Sequence, residues 1–377
     1  MKILDKYIIK KFLTTFVFVV FIFLSIIVVI DIIEKIQDFT KMEATLKTII
    51  VEYYLNFIPY IGNTISPIMV FITTVFVASQ MASRTEVVAI LSSGISFPRF
   101  LKPFLLGAGV LAVVIFYLTG WVIPNANKVR VNFENTHIRS RYYYNQRDIH
   151  LKIAPKTYAY MESYNNYNNI GYKFTLEVVE GNELKEKLVA QRIIWDTTLQ
   201  KWQIENYSLR KINNLEEKLT KGSKIDTTLN LSPEDFQSKH LFNEKLTLPE
   251  LNRYIALLKE RGSEDVKIYI TERYSRFTYP FAVIILTFMG VIVASQKNRR
   301  GVGAKIALGF VLAFIYILFY IVGTRALANS GRMPILLAVW LPNLLFITIS
   351  IIMYRIFILQ DERLRKIIFF YQTLFKR

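Results

Sequence analysis

The sequence contains no cysteine. That excludes a disulfide framework and any thiolate metal site. It leaves the compartment open, because proteins of oxidising spaces need not carry disulfides. Histidine is also scarce: His137, His150 and His240 are scattered and form no ligand spacing. No G-x-x-x-x-G-K-[ST] loop is present to cradle a nucleotide's phosphates. The segment Gly301-Val-Gly303-Ala-Lys305 lacks both that spacing and the hydroxyl residue. H-E-x-x-H and G-x-S-x-G are missing as well. The chain therefore reads as a non-enzyme without metal or cofactor. Acidic residues are few, 29 against 47 basic ones, for a net charge of +18. A basic excess can signal nucleic acid, but here Lys and Arg gather beside apolar runs. The positive-inside rule explains that placement without a nucleic-acid partner.

Charge is missing altogether from several long runs. The first, Phe12–Ile30, has 19 residues, of which 16 are Phe, Leu, Val or Ile. At 1.5 Å rise it covers about 28 Å, the thickness of a hydrocarbon core. It is too long for a signal-peptide core and no small-residue cleavage site follows, so it reads as an uncleaved span. The second uncharged run, Tyr53–Ser83, is interrupted by Pro59, Asn63 and Pro67. It predicts a tilted or kinked helix over 56–80. The others are Pro103–Asn127, Phe277–Gln296, Ile306–Thr324 and Met333–Tyr354. The reading is an α-helical membrane protein with six transmembrane helices, arranged three plus three. Residues 1–127 form the first half and 277–377 the second. Basic excess marks the N-terminus, the 84–102 loop, the 297–305 loop and the tail from Arg355, whereas the 31–52 loop is slightly acidic. Both termini are then cytoplasmic and the large polar insert lies on the far side.

The insert reads as β over 128–245 and as a helical connector over 246–276. Tyr172–Val179 alternates, Glu180–Glu183 turns, and Lys187–Trp195 resumes. Trp202, Ile204 and Tyr207 continue a third strand, and Ile225, Thr227, Leu229 and Leu231 a later one. Short, evenly spaced strands predict an antiparallel, jelly-roll-like domain. The Tyr/Asn-rich stretch Tyr164–Tyr172 reads as a loop. Thr247 and Glu250 make a capping box, Leu248, Leu251, Ile255 and Leu258 share one helix face, and Gly262 stops the helix.

Two polar features border the spans. Ser83 to Pro98 predicts a short helix of roughly ten residues between spans two and three, far too short to cross a bilayer. Ser83 and Glu86 have capping-box spacing, Gly94 sits at the stop, and Ser96 offers a second N-cap with Pro98 in the next first turn. This stretch fits either a cytoplasmic elbow or a docking knob for a partner. Asp31, Glu34 and Lys35 lie one turn apart at the outer end of the first span. They fit an interfacial charge cluster or the mouth of a cavity that meets polar head groups. Ionisable residues are almost absent within the spans, which argues against a proton-coupled transporter. Energy would then come from another chain.

The chain resembles the lipopolysaccharide export permeases of the LptF/LptG (YjgP/YjgQ) family over nearly its whole length. The matching pieces are Leu4-Asp5-Lys6-Tyr7-Ile8, Pro67, Arg84-Thr85-Glu86-Val87-Val88-Ala89 with Ser93-Gly94-Ile95-Ser96, Glu272 through Arg276 to Pro280, Gly301-Val-Gly303 and Trp340-Leu-Pro-Asn343. Asp31, Glu34 and Asp38-Phe39 look more like the G member than the F member. The resemblance implies an ABC permease subunit of the inner membrane with a periplasmic β-jelly roll. It implies a paired permease (LptF or LptG), two copies of the cytoplasmic ATPase LptB, and periplasmic LptC and LptA. The cargo would be lipopolysaccharide, drawn from the outer leaflet of the inner membrane and passed to the periplasmic bridge. A coupling helix at about 84–94 would carry Arg84, Glu86, Val87, Ile90, Leu91 and Gly94, with Glu86 as the acidic contact to the ATPase. The first and fifth spans would form lateral gates. Where some relatives set a basic residue toward lipid A phosphates, this chain has Asp31, with Lys35 one turn on. Rival readings are an ABC permease for another hydrophobic cargo, as in efflux or lipoprotein release, and a membrane protein without cargo.

Overall fold

The computed structural model describes residues 2–42, 45–138, 143–213, 216–236, 242–263, 265–295 and 301–359. Residues 297–300 and the tail beyond 359, used above as charge signals, lie outside the described residues. In chain order, helices α1 (Ile3–Lys41), α2 (Leu46–Ser83), α3 (Glu86–Ser92) and α4 (Phe97–Ile138) come first. Six strands follow: β1 (Arg147–Ala154), β2 (Thr157–Asn165), β3 (Ile170–Glu180), β4 (Glu183–Asp196), β5 (Lys201–Asn213) and β6 (Glu216–Thr227). Helices α5 (Phe242–Lys245), α6 (Leu248–Arg261), α7 (Val266–Ser295), α8 (Gly301–Ile321) and α9 (Ile335–Phe357) complete the chain. The backbone divides into two compact units, Met1–Phe133 with Ile270–Arg377, and Glu134–Tyr269.

In the helical unit, α1, α2, α4, α7, α8 and α9 each contain a stretch long and apolar enough to cross a membrane. The expected six helices with an inserted antiparallel sheet are therefore found. Burial ranks the helices. Within the most apolar window, 61% of α2 and 72% of α7 lie inside the protein, against 6% of α1. So α2 and α7 form the centre, and α1 leans on it with little of its surface covered. One core gathers Ile8 and Phe12 of α1, Met81 of α2, Val87 of α3 and Phe97, Phe100 and Phe104 of α4. A second gathers Phe71 and Val75 of α2, Leu286 and Met289 of α7, Tyr316 of α8 and Phe346 of α9.

Prolines inside these helices create polar liabilities that neighbouring helices absorb. Pro67 has no N–H, so the Asn63 carbonyl one turn back is released from the helical ladder. The Tyr279 hydroxyl of α7 donates across to the carbonyls of Asn63 (3.0 Å) and Thr64 (2.9 Å). Pro342 in α9 likewise frees the Ala338 carbonyl. Gly323, in the wide helical turn after α8, packs against it; a Cβ there would stand 2.5 Å from that oxygen. In a bilayer such groups have no water to turn to, so the neighbouring helix must serve them.

The other unit is one six-stranded antiparallel sheet whose strands pair in sequence order, β1 to β6. The order, left open by the sequence, follows from its short turns. The stretch expected as a loop over 164–172 contracts to a turn at 166–169, because its ends pair: Tyr164 with Gly171 and Asn165 with Ile170. Ala159, Met161, Phe174, Ala190, Ile193, Trp202 and Ile204 gather in one apolar core, joined by Leu231 and Phe236, with the alternation of β4 broken between Ala190 and Ile193. Helix α6 buries Leu248, Leu251, Ile255 and Leu258. It starts at the expected capping box, with the Thr247 N–H donating to Glu250 at 2.9 Å, and stops at Gly262 with φ 64°.

The opposite face carries cross-strand ion pairs, and Glu205 is the buried one. Its carboxylate accepts from Arg192 on β4 and pairs with Lys224 on β6 at 3.1 Å. The hydrogen bonds from Arg192 and then Lys224 hold its pKa below the ordinary glutamate value. A lowered folded-state pKa stabilises the sheet above the unfolded carboxylate pKa, about 4.3, and that stability is lost as pH falls through the folded value. Hydrogen exchange along β5, followed from neutral to acid pH, is expected to show protection falling below about pH 4. Glu205→Gln should flatten that acid limb, and an unchanged limb would remove Glu205 as its cause.

Candidate functional site

The segment between α2 and α4 is a sharp elbow. Helix α2 runs through Ser83, whose hydroxyl donates back to the Gln80 carbonyl at 2.9 Å. Ser83 is therefore not the expected N-cap, because the helix before it has not ended. The chain turns at Thr85, which takes a left-handed conformation (φ 62°, ψ 5°) and caps the seven-residue α3. A β-branched side chain there is strained, at a cost of about 1–3 kcal/mol. The Thr85 hydroxyl donates to the Arg84 carbonyl at 2.6 Å, and the Thr85 carbonyl accepts the first helical bond from Ala89 at 2.9 Å. Gly94, at φ 82°, ends α3 as expected, and Ser96 precedes α4 with Pro98 in its first turn.

Glu86 does not close a capping box either. Its carboxylate reaches α1, accepting from the Tyr7 hydroxyl at 3.1 Å and pairing with Lys11 at 3.7 Å. The faces of α3 then separate. Val87 is buried and Ile90 packs beside it on the α1–α2–α4 core. Arg84, Val88, Ala89, Leu91, Ser92 and Ser93 point away from the protein, with Val88 63% and Leu91 38% exposed. Of the apolar row that the sequence singles out, only Leu91 is exposed; Val88 replaces Val87 and Ile90 on the outer face. With 3.6 residues per turn, Val88 and Leu91 lie on one stripe of α3, and exposed Arg84 precedes it, before the turn at Thr85.

The second candidate group sits at the other end of α1. Asp31 is buried and Lys35 pairs with it at 2.6 Å. Two residues from the start of α2 complete the cluster. The Tyr53 hydroxyl donates to Asp31 at 3.1 Å and also receives Lys35, while the Tyr54 hydroxyl donates to Asp31 at 3.2 Å. The Lys35 ammonium lies 4.6 Å from the Tyr53 ring centre, a cation–π contact. Glu34 points outward and is exposed. The structure thus joins Asp31 and Lys35, leaves Glu34 aside, and adds two tyrosines that helical spacing on α1 could not announce.

Among the described residues, no group of histidines and carboxylates could hold a metal. The chemistry on view is that of six long apolar helices with an exposed half-apolar elbow at one end of the least buried of them. No curated protein matches the chain. A family model described as "Lipopolysaccharide export system permease LptF/LptG" matches residues 6–356 and covers both members alike. That range takes in all six long helices, the elbow and the inserted sheet, so the chain belongs to the LptF/LptG family of lipopolysaccharide export permeases, multi-pass transport subunits of the inner membrane.

Proposed function

We propose that the chain is one permease of an ABC transporter that lifts lipopolysaccharide from the outer leaflet of the inner membrane, powered by a separate ATPase that docks on α3. The observation that carries this reading is the outer stripe of α3, Val88 and Leu91, left uncovered with Arg84 just before it, on an elbow whose inner face is firmly seated. An apolar pair beside a cation and two serines suits a protein groove rather than a lipid tail. The positive-inside rule assigns the elbow to the cytoplasm, where ATP is available. The sheet unit then lies in the periplasm and hands the lipid toward a bridge of further β proteins, and a second permease completes the cavity. Moving one CH₂ out of hydrocarbon costs about 0.8 kcal/mol, so a lipid with several acyl chains requires on the order of tens of kcal/mol from cavity contacts and hydrolysed ATP. Lys35 in this state is neutralised by Asp31, so it contributes no free cation for a lipid phosphate.

Val88→Asp tests the docking surface without touching the Glu86 contacts. It is expected to lower retention of the ATPase by roughly tenfold or more in co-purification, as burying an unpaired carboxylate in a contact centre does. Glu86→Arg should also lose ATPase and lipid release, while additionally breaking the bonds to Tyr7 and Lys11. Unchanged retention and release in both variants would end the docking reading. Mass spectrometry of lipids co-purified in mild detergent should return lipopolysaccharide; a different lipid alone would reassign the cargo.

A further inference from the structure

Helix α1 has its buried residues near its ends and only one-sided packing between them. In its apolar window only 6% is buried, and the buried residues of the whole helix are Asp5, Ile8 and Phe12 at one end and Asp31 at the other. Val17, Phe18, Phe21, Ile26 and Val29 between them are all exposed. Between its ends the helix packs on one side only, with Leu13 and Phe16 against the core and Phe23 beside Phe310 at 6.2 Å, so its polar ties at the ends fix how it follows its neighbours. The tie at the N-terminal end belongs to the elbow. Asp5 accepts two hydrogen bonds from the Arg99 guanidinium, at 2.6 and 2.9 Å, from the first turn of α4. Its second oxygen also accepts the Lys2 N–H at 2.9 Å, so the same carboxylate caps α1 and holds α4. Two parallel bonds to a planar guanidinium fix direction as well as distance. Glu86, with Tyr7 and Lys11, makes a second and longer contact from α3 to the same two turns of α1. The packing beneath is tight: a Cβ on Gly107 of α4 would stand 2.8 Å from the Phe12 ring.

We propose that the Asp5–Arg99 pair is a coupling strut that carries displacement of the elbow into α1, moving the helix face that meets the lipid. Asp5 and Arg99 are thus positioning residues, acting through α1 rather than on cargo or nucleotide. The strut rests on the reading of the elbow as the ATPase dock, and its loss differs from loss of docking. A broken dock removes hydrolysis and transport together. A broken strut leaves ATP being hydrolysed while the lipid stays.

The test uses the permease–ATPase complex in lipopolysaccharide-containing proteoliposomes, comparing wild type with Arg99→Lys and Arg99→Gln. Lipid released per ATP hydrolysed is expected to fall at least about fivefold in Arg99→Gln, the lower bound of an ordinary coupling energy, with hydrolysis retained. Arg99→Lys keeps the charge but not the fork and should fall in between. Because the chain has no cysteine, Val17→Cys, assembled with cysteine-free partner chains, carries a single spin label at an exposed position of α1. Addition of non-hydrolysable nucleotide should change that label's spectrum in the wild-type background and leave it unchanged beside Arg99→Gln. The strut is refuted if release per ATP is unaltered, if release and hydrolysis fall in proportion, or if the label responds equally in both backgrounds. Should the wild-type complex release no lipid, the transport reading fails, and the label comparison still decides the strut.

Discussion

Trp202→Ala is expected to unfold the sheet unit, costing about 4 kcal/mol, the largest stability effect of any single truncation proposed for this chain. Trp202 is fully buried, and its ring lies against Trp195 at 5.1 Å, its partner across β4 and β5. Its indole N–H donates at 2.7 Å to the Leu231 carbonyl, tying the segment after β6 back over the sheet. Two effects combine in the truncation: a cavity the size of an indole, and a buried carbonyl left without its donor. Trp202→Phe separates them, keeping much of the ring while deleting the donor, and should cost about 1–3 kcal/mol. The core of the sheet shares no residue with the two large cores described in the helical unit. Hydrogen exchange on the full chain should therefore show protection lost across β1 to β6 while the long helices keep theirs. Equal losses in both units, or a Phe variant as damaged as Ala, would contradict this account.

Such separation of cores has a counterpart in what the sequence makes legible. The spans can be read because a run like Phe12–Ile30 has no alternative to hydrocarbon, and each apolar residue adds to the same decision. The capping box of α6 is equally legible, because Thr247 and Glu250 satisfy each other within one turn. The same spacing at Ser83 and Glu86 misleads. Continuation of α2 competes for Ser83, and Tyr7 and Lys11, more than seventy residues away in sequence, compete for Glu86. Helical periodicity gives α3 two faces but cannot say which one faces inward; the packing of Phe97, Phe100 and Met81 decides for Val87. Asp31 and Lys35 are visible as an i,i+4 pair, whereas Tyr53 and Tyr54 arrive from the next helix. Local physics is therefore readable along the chain, and pairings between helices are not, because nothing in the spacing of one helix encodes the register of its neighbour.

Those inter-helix pairings set the second large effect. Asn343 on α9 donates to the Thr278 carbonyl of α7 at 3.0 Å and accepts from the Tyr316 hydroxyl of α8 at 2.8 Å. All three residues are buried, and they join three of the four helices of one core. Asn343→Leu conserves volume but leaves the Tyr316 hydroxyl without its acceptor. A membrane hydrogen bond alone averages about 0.6 kcal/mol, since the separated helices also find partners. An orphaned buried hydroxyl costs more, about 1–3 kcal/mol, so the orphan and not the lost bond should dominate. Asn343→Leu is thus expected to destabilise the helical unit by about 2 kcal/mol in mixed-micelle unfolding. Tyr316→Phe alone should cost about 1 kcal/mol, leaving the Asn343 carbonyl oxygen short of a donor. In the double variant no orphan remains between α8 and α9, and the total should fall below the sum of the singles by about 1 kcal/mol. Strict additivity would mean that the two side chains do not share one bond in the membrane-embedded protein. A double variant near the cost of Asn343→Leu alone would show that this asparagine sets the pairing of α7, α8 and α9 by polarity, where apolar packing by itself leaves several registers nearly equal.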